Sequence, residues 1–323
     1  MLKILYAGSP DVSAGVLTDL INSKKVTIVA VLTNAPSAKG RHKTPQQTPV
    51  AQVAVNAGIP VLEPERITED VRNRIAEYQP DILVCFAYGK IFGPKCMSLF
   101  PLGGINLHTS LLPKFRGASP VCAAILAGEK ETGVTVQRIA PEMDTGDILL
   151  QHRLTLSGTE NSQEILFKLA ESGGNMLNEV LNNIENGTEI AIKQNESDAT
   201  YCAVLKKEDG IIDWEKTADE ICTLVRAVYS WPGAFTSIDN TLLTLHKASV
   251  FDKADSLFNE KNAPPGTLLG TDKESGILFQ TGKGILAVQI LQKHGKKTMQ
   301  WKDFANGMHN LVGMCCINPK KTS

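Results

Sequence analysis

The chain has 323 residues, of which 42% are hydrophobic and 21% are charged, and its formal net charge is −1; this is the composition of an ordinary globular protein, at a length that suits two domains. No apolar run is long enough to span a bilayer, and the strand-like start is too short for a secretory signal peptide. The seven cysteines include no C-x-x-C pair, which disfavours zinc and disulfide frameworks and favours a reducing cytoplasm.

Short apolar runs alternate with helical patterns over roughly the first ninety residues. Strands alternating with helices predict a Rossmann-like, mostly parallel sheet with helices on both faces, and such sheets bind ligands beyond the carboxyl ends of their strands. The Gly8-Ser9-Pro10 turn lacks the spacing of a dinucleotide fingerprint, so an NAD site is a poor interpretation. The predicted strands are 3–7, 26–33 and 81–87, the predicted helices are 11–21, 50–57 and 69–78, and a short segment at 60–62 lies between the second and third helices.

The middle of the chain continues the pattern and then changes it. A further apolar strand carries Asn106 and His108, and Ser119-Pro120 begins a helix that ends at Gly128. Strands are predicted at 135–139 and 148–156, followed by a long amphipathic helix at 163–185 that Gly173-Gly174 interrupts.

A polar, irregular stretch separates two predicted domains. We expect a catalytic domain over 1–188, a linker over 189–207 and a second domain over 208–323. The second domain begins with a helix near 218–229, and short alternating strands at 234–238, 242–246, 276–280 and 285–291 predict a small β-barrel.

Two segments are locally basic although the whole chain is not. Residues 37–43 form a Pro-bounded loop with Lys39, Arg41 and Lys43, and residues 283–323 contain seven lysines and one acid. Lys293, Lys296 and Lys297 lie between strand-like runs and suit a phosphate track, whereas Lys320 and Lys321 suit a solvated tail.

The most informative residues are Asn106, His108 and Asp144. On a strand, positions i and i+2 face the same side, so the carboxamide of Asn106 and the imidazole of His108 point together. An amide donor beside an imidazole, with a carboxylate in reach, can stabilise an oxyanion and move a proton. We expect Asp144 to raise the pKa of a protonated His108, and Asp147 to be the structural member of the Asp144–Asp147 turn.

These residues resemble the formyltransferases that use 10-formyltetrahydrofolate. The shared features are the Asn-x-His strand, the Ser-Leu-Leu-Pro loop at 110–113 and the Asp-x-Gly-Asp turn at 144–147. Runs at 116–120 and 131–135 also match. Within the family the resemblance is closest to the enzymes that act on methionyl-tRNA, and it extends over nearly the whole chain.

The resemblance implies roles for residues outside the trio. It implies folate binding by Ser110, Leu111, Leu112 and Pro113 and by the segment Ala87, Tyr88 and Gly89. It implies tRNA binding by Lys39, Gly40, Arg41, Lys43 and Arg226, and by an OB-like second domain that carries Lys293, Lys296 and Lys297. The expected substrates are 10-formyltetrahydrofolate and initiator methionyl-tRNA, with no metal, no membrane and a monomeric protein.

The residues leave three alternatives open. The same chemistry could act on another amine, such as a purine precursor or an amino sugar, although a purine-precursor enzyme would not need the basic loop or the second domain. Water could replace the amine, which would make the protein a formyltetrahydrofolate hydrolase. A non-catalytic tRNA-binding protein is the third alternative, and the intact trio argues against it.

Overall fold

The computed structural model describes residues 1–39, 44–252, 263–307 and 311–317. The chain forms two compact units that are both discontinuous in sequence. The first contains Met1–Val121, Lys130–Leu156 and Ile165–Ala203, and the second contains Cys122–Glu129, Ser157–Glu164 and Val204–Ser323.

The elements up to residue 203 alternate as the sequence predicts. The helices are α1 (Asp11–Ser23), α2 (Pro49–Asn56), α3 (Glu69–Glu77), α4 (Pro94–Met97), α5 (Pro120–Leu126) and α6 (Ser162–Asn186). The strands are β1 (Lys3–Gly8), β2 (Thr27–Leu32), β3 (Ser37–Lys39), β4 (Thr44–Gln46), β5 (Val61–Leu62), β6 (Ile82–Phe86), β7 (Gly104–His108), β8 (Arg116–Gly117), β9 (Glu131–Arg138), β10 (Ile148–Thr155) and β11 (Tyr201–Cys202).

The first unit is built on a seven-stranded sheet in the order β10-β9-β7-β6-β1-β2-β5. The five strands from β7 to β5 are parallel, whereas β9 runs antiparallel to both β7 and β10. This confirms the predicted mostly parallel α/β sheet. The carboxyl ends of β1, β6 and β7 lie at one edge, which is where the sequence analysis expects ligands.

Helix α6 is continuous, so the predicted interruption at Gly173-Gly174 is wrong. The two glycines are there because neighbouring elements approach the helix closely. A Cβ on Gly173 would lie 2.5 Å from Leu107 Cδ2, and a Cβ on Gly174 would lie 2.5 Å from Asp19 Cβ. Helix α6 therefore packs directly on strand β7, behind the predicted catalytic residues.

Part of the segment predicted as a linker belongs to the first unit. Residues 189–203 cluster with it, and β11 pairs in parallel with β8. Arg116 is 1% exposed, and its guanidinium donates two hydrogen bonds to the carboxylate of Glu196, at 2.8 and 2.9 Å. These bonds hold residues 189–203 against the first unit. The domain boundaries proposed from the sequence remain a prediction, but residues 189–203 pack on the catalytic fold rather than simply connecting two domains.

The second unit contains helix α7 (Ala218–Ala227), strands β12 (Ala234–Ile238), β13 (Thr241–Val250), β14 (Leu268–Asp272), β15 (Gly276–Gln280), β16 (Ile285–Lys293) and β17 (Met299–Gln300), and helix α8 (Trp301–Asn306). The strands form an antiparallel sheet in the order β12-β13-β16-β15-β14, with β17 paired to β16. The segment 314–317 bonds to Ser237 in β12 and to Thr267 and Leu268 at β14, and so it joins the two edges. The fold class predicted for this part, a small OB-like β-barrel domain, is confirmed as a separate antiparallel β-sheet domain; strands β14 and β17 were not predicted.

Candidate active site

Strand β7 presents Asn106 and His108 on one face and Leu107 on the other. It lies between β6 and β9, where Asn106 is opposite Cys85 and Gln137, and His108 is opposite Thr135. Because Leu107 packs against α6, the face with Asn106 and His108 is turned away from that helix. The structure therefore places the two predicted residues side by side, close to the carboxyl edge of the sheet.

The imidazole of His108 is buried between two acceptor groups. Nε2 lies 3.0 Å from the carbonyl oxygen of Phe115, and Nδ1 lies 3.5 Å from Oδ2 of Asp144. A carbonyl oxygen can only accept, so Nε2 carries a hydrogen in this arrangement. Nδ1 then gains a hydrogen bond to Asp144 only when a second proton is present.

The pKa of His108 departs from the expectation. Burial lowers the pKa of His108, and the opposing effects of Asp144 and of the Phe115 carbonyl do not offset burial. The imidazole is therefore neutral in the resting protein rather than protonated. Asp144 acts in the predicted direction, because its carboxylate raises the pKa of His108 relative to burial alone.

Asp144 is held by groups from three other elements. Its Oδ2 accepts from the backbone N–H of Gly117 at 2.8 Å, and its Oδ1 accepts from the side-chain amide of Gln137 at 2.7 Å. Its backbone has a φ of 57°, a left-handed conformation that few non-glycine residues adopt. The amide of Gln194 donates to the carbonyl oxygens of Asp144 and Gly146, at 2.8 and 2.7 Å, and so fixes this turn.

The carboxamide of Asn106 is left available. Within the described ranges, the side chain of Asn106 has no hydrogen-bond partner in the protein, and it is only partly buried. A free amide at the mouth of a buried pair fits a group that donates to substrate. The neighbouring Cys85 is not a nucleophile, because burial raises the pKa of its thiol to about 12.

The segment after β6 divides into inward and outward residues. Ala87 and Gly89 are exposed and have positive φ values of 53° and 80°, so their backbone faces outward at the carboxyl edge. The side chain of Tyr88 is 1% exposed and packs in the core against Phe92. The segment therefore exposes Ala87 and Gly89, whereas the ring of Tyr88 packs into the core.

The Ser110–Pro113 loop is fixed by internal contacts. The hydroxyl of Ser110 donates to the carbonyl oxygen of Lys114 at 2.6 Å, and the hydroxyl of Thr135 donates to the carbonyl oxygen of Ser110 at 2.7 Å. Leu112 is buried, whereas Leu111 and Pro113 are half-buried. The loop begins two residues after His108, and these contacts hold it in place.

The basic residues predicted to bind tRNA lie in different environments. Gly40, Arg41 and Lys43 are outside the described residues; Lys39 ends strand β3, which pairs with β4. Arg226 donates to the carbonyl oxygen of Glu160 at 3.2 Å, and the ammonium of Lys293 lies 4.8 Å from the ring centre of Phe304. Lys296 and Lys297 are exposed in the turn between β16 and β17.

The sequence analysis missed three residues of the site: Arg116 as a buried anchor, Gln137 and Gln194. Gln137 could have been found from the sequence, because it follows Thr135 at spacing i+2 in the otherwise apolar centre of β9. Gln194 could not have been found in this way, since it lies in a polar stretch that resembles a linker. Among the described residues, no group of three or more His, Cys, Asp or Glu side chains is arranged to hold a metal ion, and no helix is long and apolar enough to cross a bilayer.

Comparison with protein families gives two matches that together span most of the chain. Residues 2–181 match the family described as formyl transferase, and residues 204–309 match the formyl transferase C-terminal domain. A protein named methionyl-tRNA formyltransferase from Treponema denticola is 44% identical over 95% of this chain and 97% of its own. One of the same name from Desulfotalea psychrophila is 38% identical over 95% of this chain and 93% of its own.

Solved structures share the fold at low sequence identity. Methionyl-tRNA formyltransferase from Clostridium thermocellum has a TM-score of 0.56 at 18% identity, covering 81% of this chain and 96% of that one. An N-formyltransferase from Helicobacter canadensis, in complex with folinic acid and dTDP-3-aminofucose, has a TM-score of 0.64 at 21% identity, covering 91% and 100%. HypX from Aquifex aeolicus in complex with tetrahydrofolic acid has a TM-score of 0.64 at 16% identity, covering 94% of this chain and 46% of that longer one.

Proposed function

We propose that this chain, which belongs to the formyl transferase family, transfers the formyl group of 10-formyltetrahydrofolate to the α-amino group of methionine on initiator methionyl-tRNA. The observation that carries the chemistry is the free carboxamide of Asn106 beside the buried His108–Asp144 pair. The acceptor follows from relatives named methionyl-tRNA formyltransferase that are 38–44% identical over nearly the whole chain.

Asn106 and the histidine pair divide the chemistry between them. When the neutral amine attacks the formyl carbon, its carbonyl oxygen becomes an oxyanion, and the Asn106 amide donates a hydrogen bond to it. The attacking nitrogen must lose a proton. A neutral His108 can take that proton, and the pair then returns it to the folate nitrogen as the carbon–nitrogen bond breaks.

Asp144 supports this proton transfer in two ways. Its Oδ2 lies 3.5 Å from Nδ1 of His108, so a proton taken by the ring is stabilised by an adjacent negative charge. Its own oxygens are fixed by Gly117 and Gln137, so the carboxylate does not need to reorganise when the charge on the ring changes.

The substrate-holding surfaces belong to the same proposal. The formyl donor lies against the outward backbone of Ala87 and Gly89 and against the 110–113 loop. The tRNA contacts the basic loop 37–43 and the exposed Lys296 and Lys297. We assign the protein to the cytoplasm as a monomer.

A product assay with several acceptors tests the proposal. The protein is incubated with 10-formyltetrahydrofolate and, in separate reactions, with methionyl-tRNA, glycinamide ribonucleotide, a nucleotide-linked amino sugar or no amine. We expect N-formylmethionine after mild deacylation of the tRNA and no comparable product from the other acceptors. Release of free formate in all reactions would identify a hydrolase, and formylation of the amino sugar alone would identify a sugar enzyme.

A further inference from the structure

A pocket of about 240 Å³ lies behind the Asp144 turn and plays no part in the mechanism described above. Its walls come from β8, from the residues that flank Asp144, and from β11; they are Arg116, Gly117, Glu142, Met143, Thr145, Tyr201 and Cys202. Pockets that hold whole cofactors run to roughly 300–1,000 Å³. This one suits a single side chain better than a folate or a nucleotide.

One wall of the pocket is bonded directly to Asp144, and another shares a carbonyl oxygen with His108. The N–H of Gly117 donates to Oδ2 of Asp144 at 2.8 Å. The carbonyl oxygen of Phe115, which lies 3.0 Å from Nε2 of His108, also accepts from the thiol of Cys202 at 3.5 Å. The pocket therefore adjoins the backbone groups that hold the His108–Asp144 pair.

The lining suits an unbranched occupant, and its one carboxylate, on the exposed Glu142, disfavours an acidic one. Met143 and Tyr201 are 61% and 70% exposed, so both offer accessible surface to an occupant of the pocket. Burial raises the pKa of the Cys202 thiol, so it is neutral. A sulfur-containing chain would gain favourable contacts with the ring of Tyr201 and with these soft groups.

The one cation in the lining is already neutralised. The guanidinium of Arg116 donates to the carboxylate of Glu196 twice, to the side-chain oxygen of Gln194 at 3.0 Å and to the hydroxyl of Tyr201 at 3.0 Å. It has no strong attraction left for an acidic ligand. With Glu142 as the remaining charge, the pocket disfavours acidic side chains and otherwise selects by shape and apolar contact.

We propose that this pocket binds the side chain of the amino acid whose α-amino group is formylated, and that it selects an unbranched thioether chain such as that of methionine. The inference rests on the proposed aminoacyl acceptor. It adds a specificity site to the proposed function. The trio catalyses transfer to any aminoacyl amine that is correctly placed, and the pocket sets the preference for one side chain over another.

The test compares one initiator tRNA charged with methionine, norleucine or alanine. The measured quantity is the ratio of kcat/KM for methionyl-tRNA to kcat/KM for alanyl-tRNA. Pocket interactions of this kind contribute about tenfold or more per group, so we expect Met143→Ala to reduce the ratio at least about tenfold. Cys202→Phe, which fills the pocket, should reduce this ratio further. In every variant, kcat/KM for norleucyl-tRNA should change in parallel with kcat/KM for methionyl-tRNA.

Val55→Ala is the matched control, because Val55 is 55% exposed on α2 and lies far from the pocket residues in sequence. The substitution removes apolar surface as Met143→Ala does, and the methionine-to-alanine ratio of kcat/KM should equal that of the wild type. Met143 is exposed, so its variant is expected to fold even if Cys202→Phe does not. An unchanged ratio in Met143→Ala would overturn the inference, as would a raised KM for the folate with the ratio intact. Absence of formylation of any charged tRNA by the wild type would instead refute the proposed function.

Discussion

At the scale of single residues, the charge of His108 depends on whether a proton occupies Nδ1, which faces Oδ2 of Asp144. Burial keeps the ring neutral, and Asp144 opposes burial. The ring is therefore ready to take a proton during the reaction and does not begin with one. The effect of Asp144 on the pKa of His108 can therefore be measured separately from its effect on turnover.

The pKa of His108 should respond to Asp144 in a defined direction. We expect an NMR titration to give His108 a pKa below the ordinary value of about 6.5, because burial disfavours the charged ring. In Asp144→Asn the pKa should fall further, since the charge that favours protonation is gone. Turnover should fall in the same variant.

Asp147→Asn provides the matched control, because it makes the same change in charge within the same turn. Asp147 is not among the groups that shift the pKa of His108. Equal titration curves for the wild type and Asp144→Asn, or equal shifts in both variants, would contradict the pairing.

The sequence predicted that Asn106, His108 and Asp144 act together, but only part of what holds them in place. Asn106 and His108 lie on one strand, so their common face follows from local periodicity alone. The approach of Asp144 depends on the motif, and the support from Gln137 and Gln194 depends on strand pairing and on a segment about 50 residues further along the chain. The net direction of the His108 pKa could not be predicted, because burial is a property of the whole fold.

At the scale of elements, residues 194–202 act as a clamp on the turn that carries Asp144. Gln194 donates to the carbonyl oxygens of Asp144 and Gly146 and accepts from Nε of Arg116. β11 then pairs with β8, whose Gly117 holds the carboxylate of Asp144. The segment thereby fixes both the backbone and the side chain of one catalytic residue.

Gln194 is therefore a positioning residue. Gln194→Ala should lower kcat by up to about 10²-fold, because small displacements of a catalytic group cost that much, and should leave KM for both substrates nearly unchanged. Gln194→Glu should not restore kcat, since a carboxylate can accept from Arg116 but cannot donate to the two carbonyl oxygens.

The exposed neighbour Lys193 offers the control, and Lys193→Ala should keep wild-type kcat. A merely structural role for Gln194 would lower stability and leave the His108 titration unchanged. We expect that titration to shift in Gln194→Ala, because Asp144 moves. Normal kcat in Gln194→Ala would refute the clamp.

Helix α6 shows why a glycine pair can mislead sequence analysis. Gly-Gly in a helical pattern indicates a break, yet here it permits close packing on β7 and α1. Gly173→Ala should destabilise the protein by about 1–3 kcal/mol, because the added methyl group would press on Leu107 in an already packed interface. Urea denaturation measures the change.

Gly15→Ala is the control for intrinsic helix preference. Gly15 lies in α1, and a Cβ there would meet no atom within 4 Å. This variant should gain about 0.5–1 kcal/mol. Similar stabilisation in Gly173→Ala would show that α6 does not need the close approach.

At the scale of the whole molecule, we assign the chemistry to the first unit and tRNA binding to both, through the loop 37–43 and through Lys296 and Lys297. The trio lies before residue 150, and the exposed Lys296 and Lys297 lie in the β16–β17 turn. The alternation of strands and helices predicted the first fold well. The second was predicted only as a class, because the pairing of segment 314–317 with both sheet edges is not visible in a local pattern.

The two lysines should supply affinity without affecting the chemical step. Lys296→Ala with Lys297→Ala should raise KM for methionyl-tRNA and flatten the log–log dependence of binding on salt by about 0.7–0.9 for each phosphate that is no longer neutralised. Turnover at saturating tRNA should remain near normal, because the lysine–phosphate attraction is the same in the ground and transition states. Lys25→Ala with Lys130→Ala, both exposed in the first unit, should leave the slope unchanged; an equal flattening of the slope would mean that net charge alone is responsible.

The central claim is that Asn106 and the His108–Asp144 pair transfer a formyl group to a tRNA-bound amine. A single-turnover experiment with labelled 10-formyltetrahydrofolate and methionyl-tRNA, comparing the wild type with Asn106→Ala, tests it most directly; the exposed Asn182→Ala serves as the control. We predict that label on tRNA-bound methionine equals tetrahydrofolate released in the wild type and the control, and that Asn106→Ala slows transfer by about 10²–10³-fold with tRNA binding retained. Tetrahydrofolate released without labelled tRNA, or an unchanged rate in Asn106→Ala, would contradict the account.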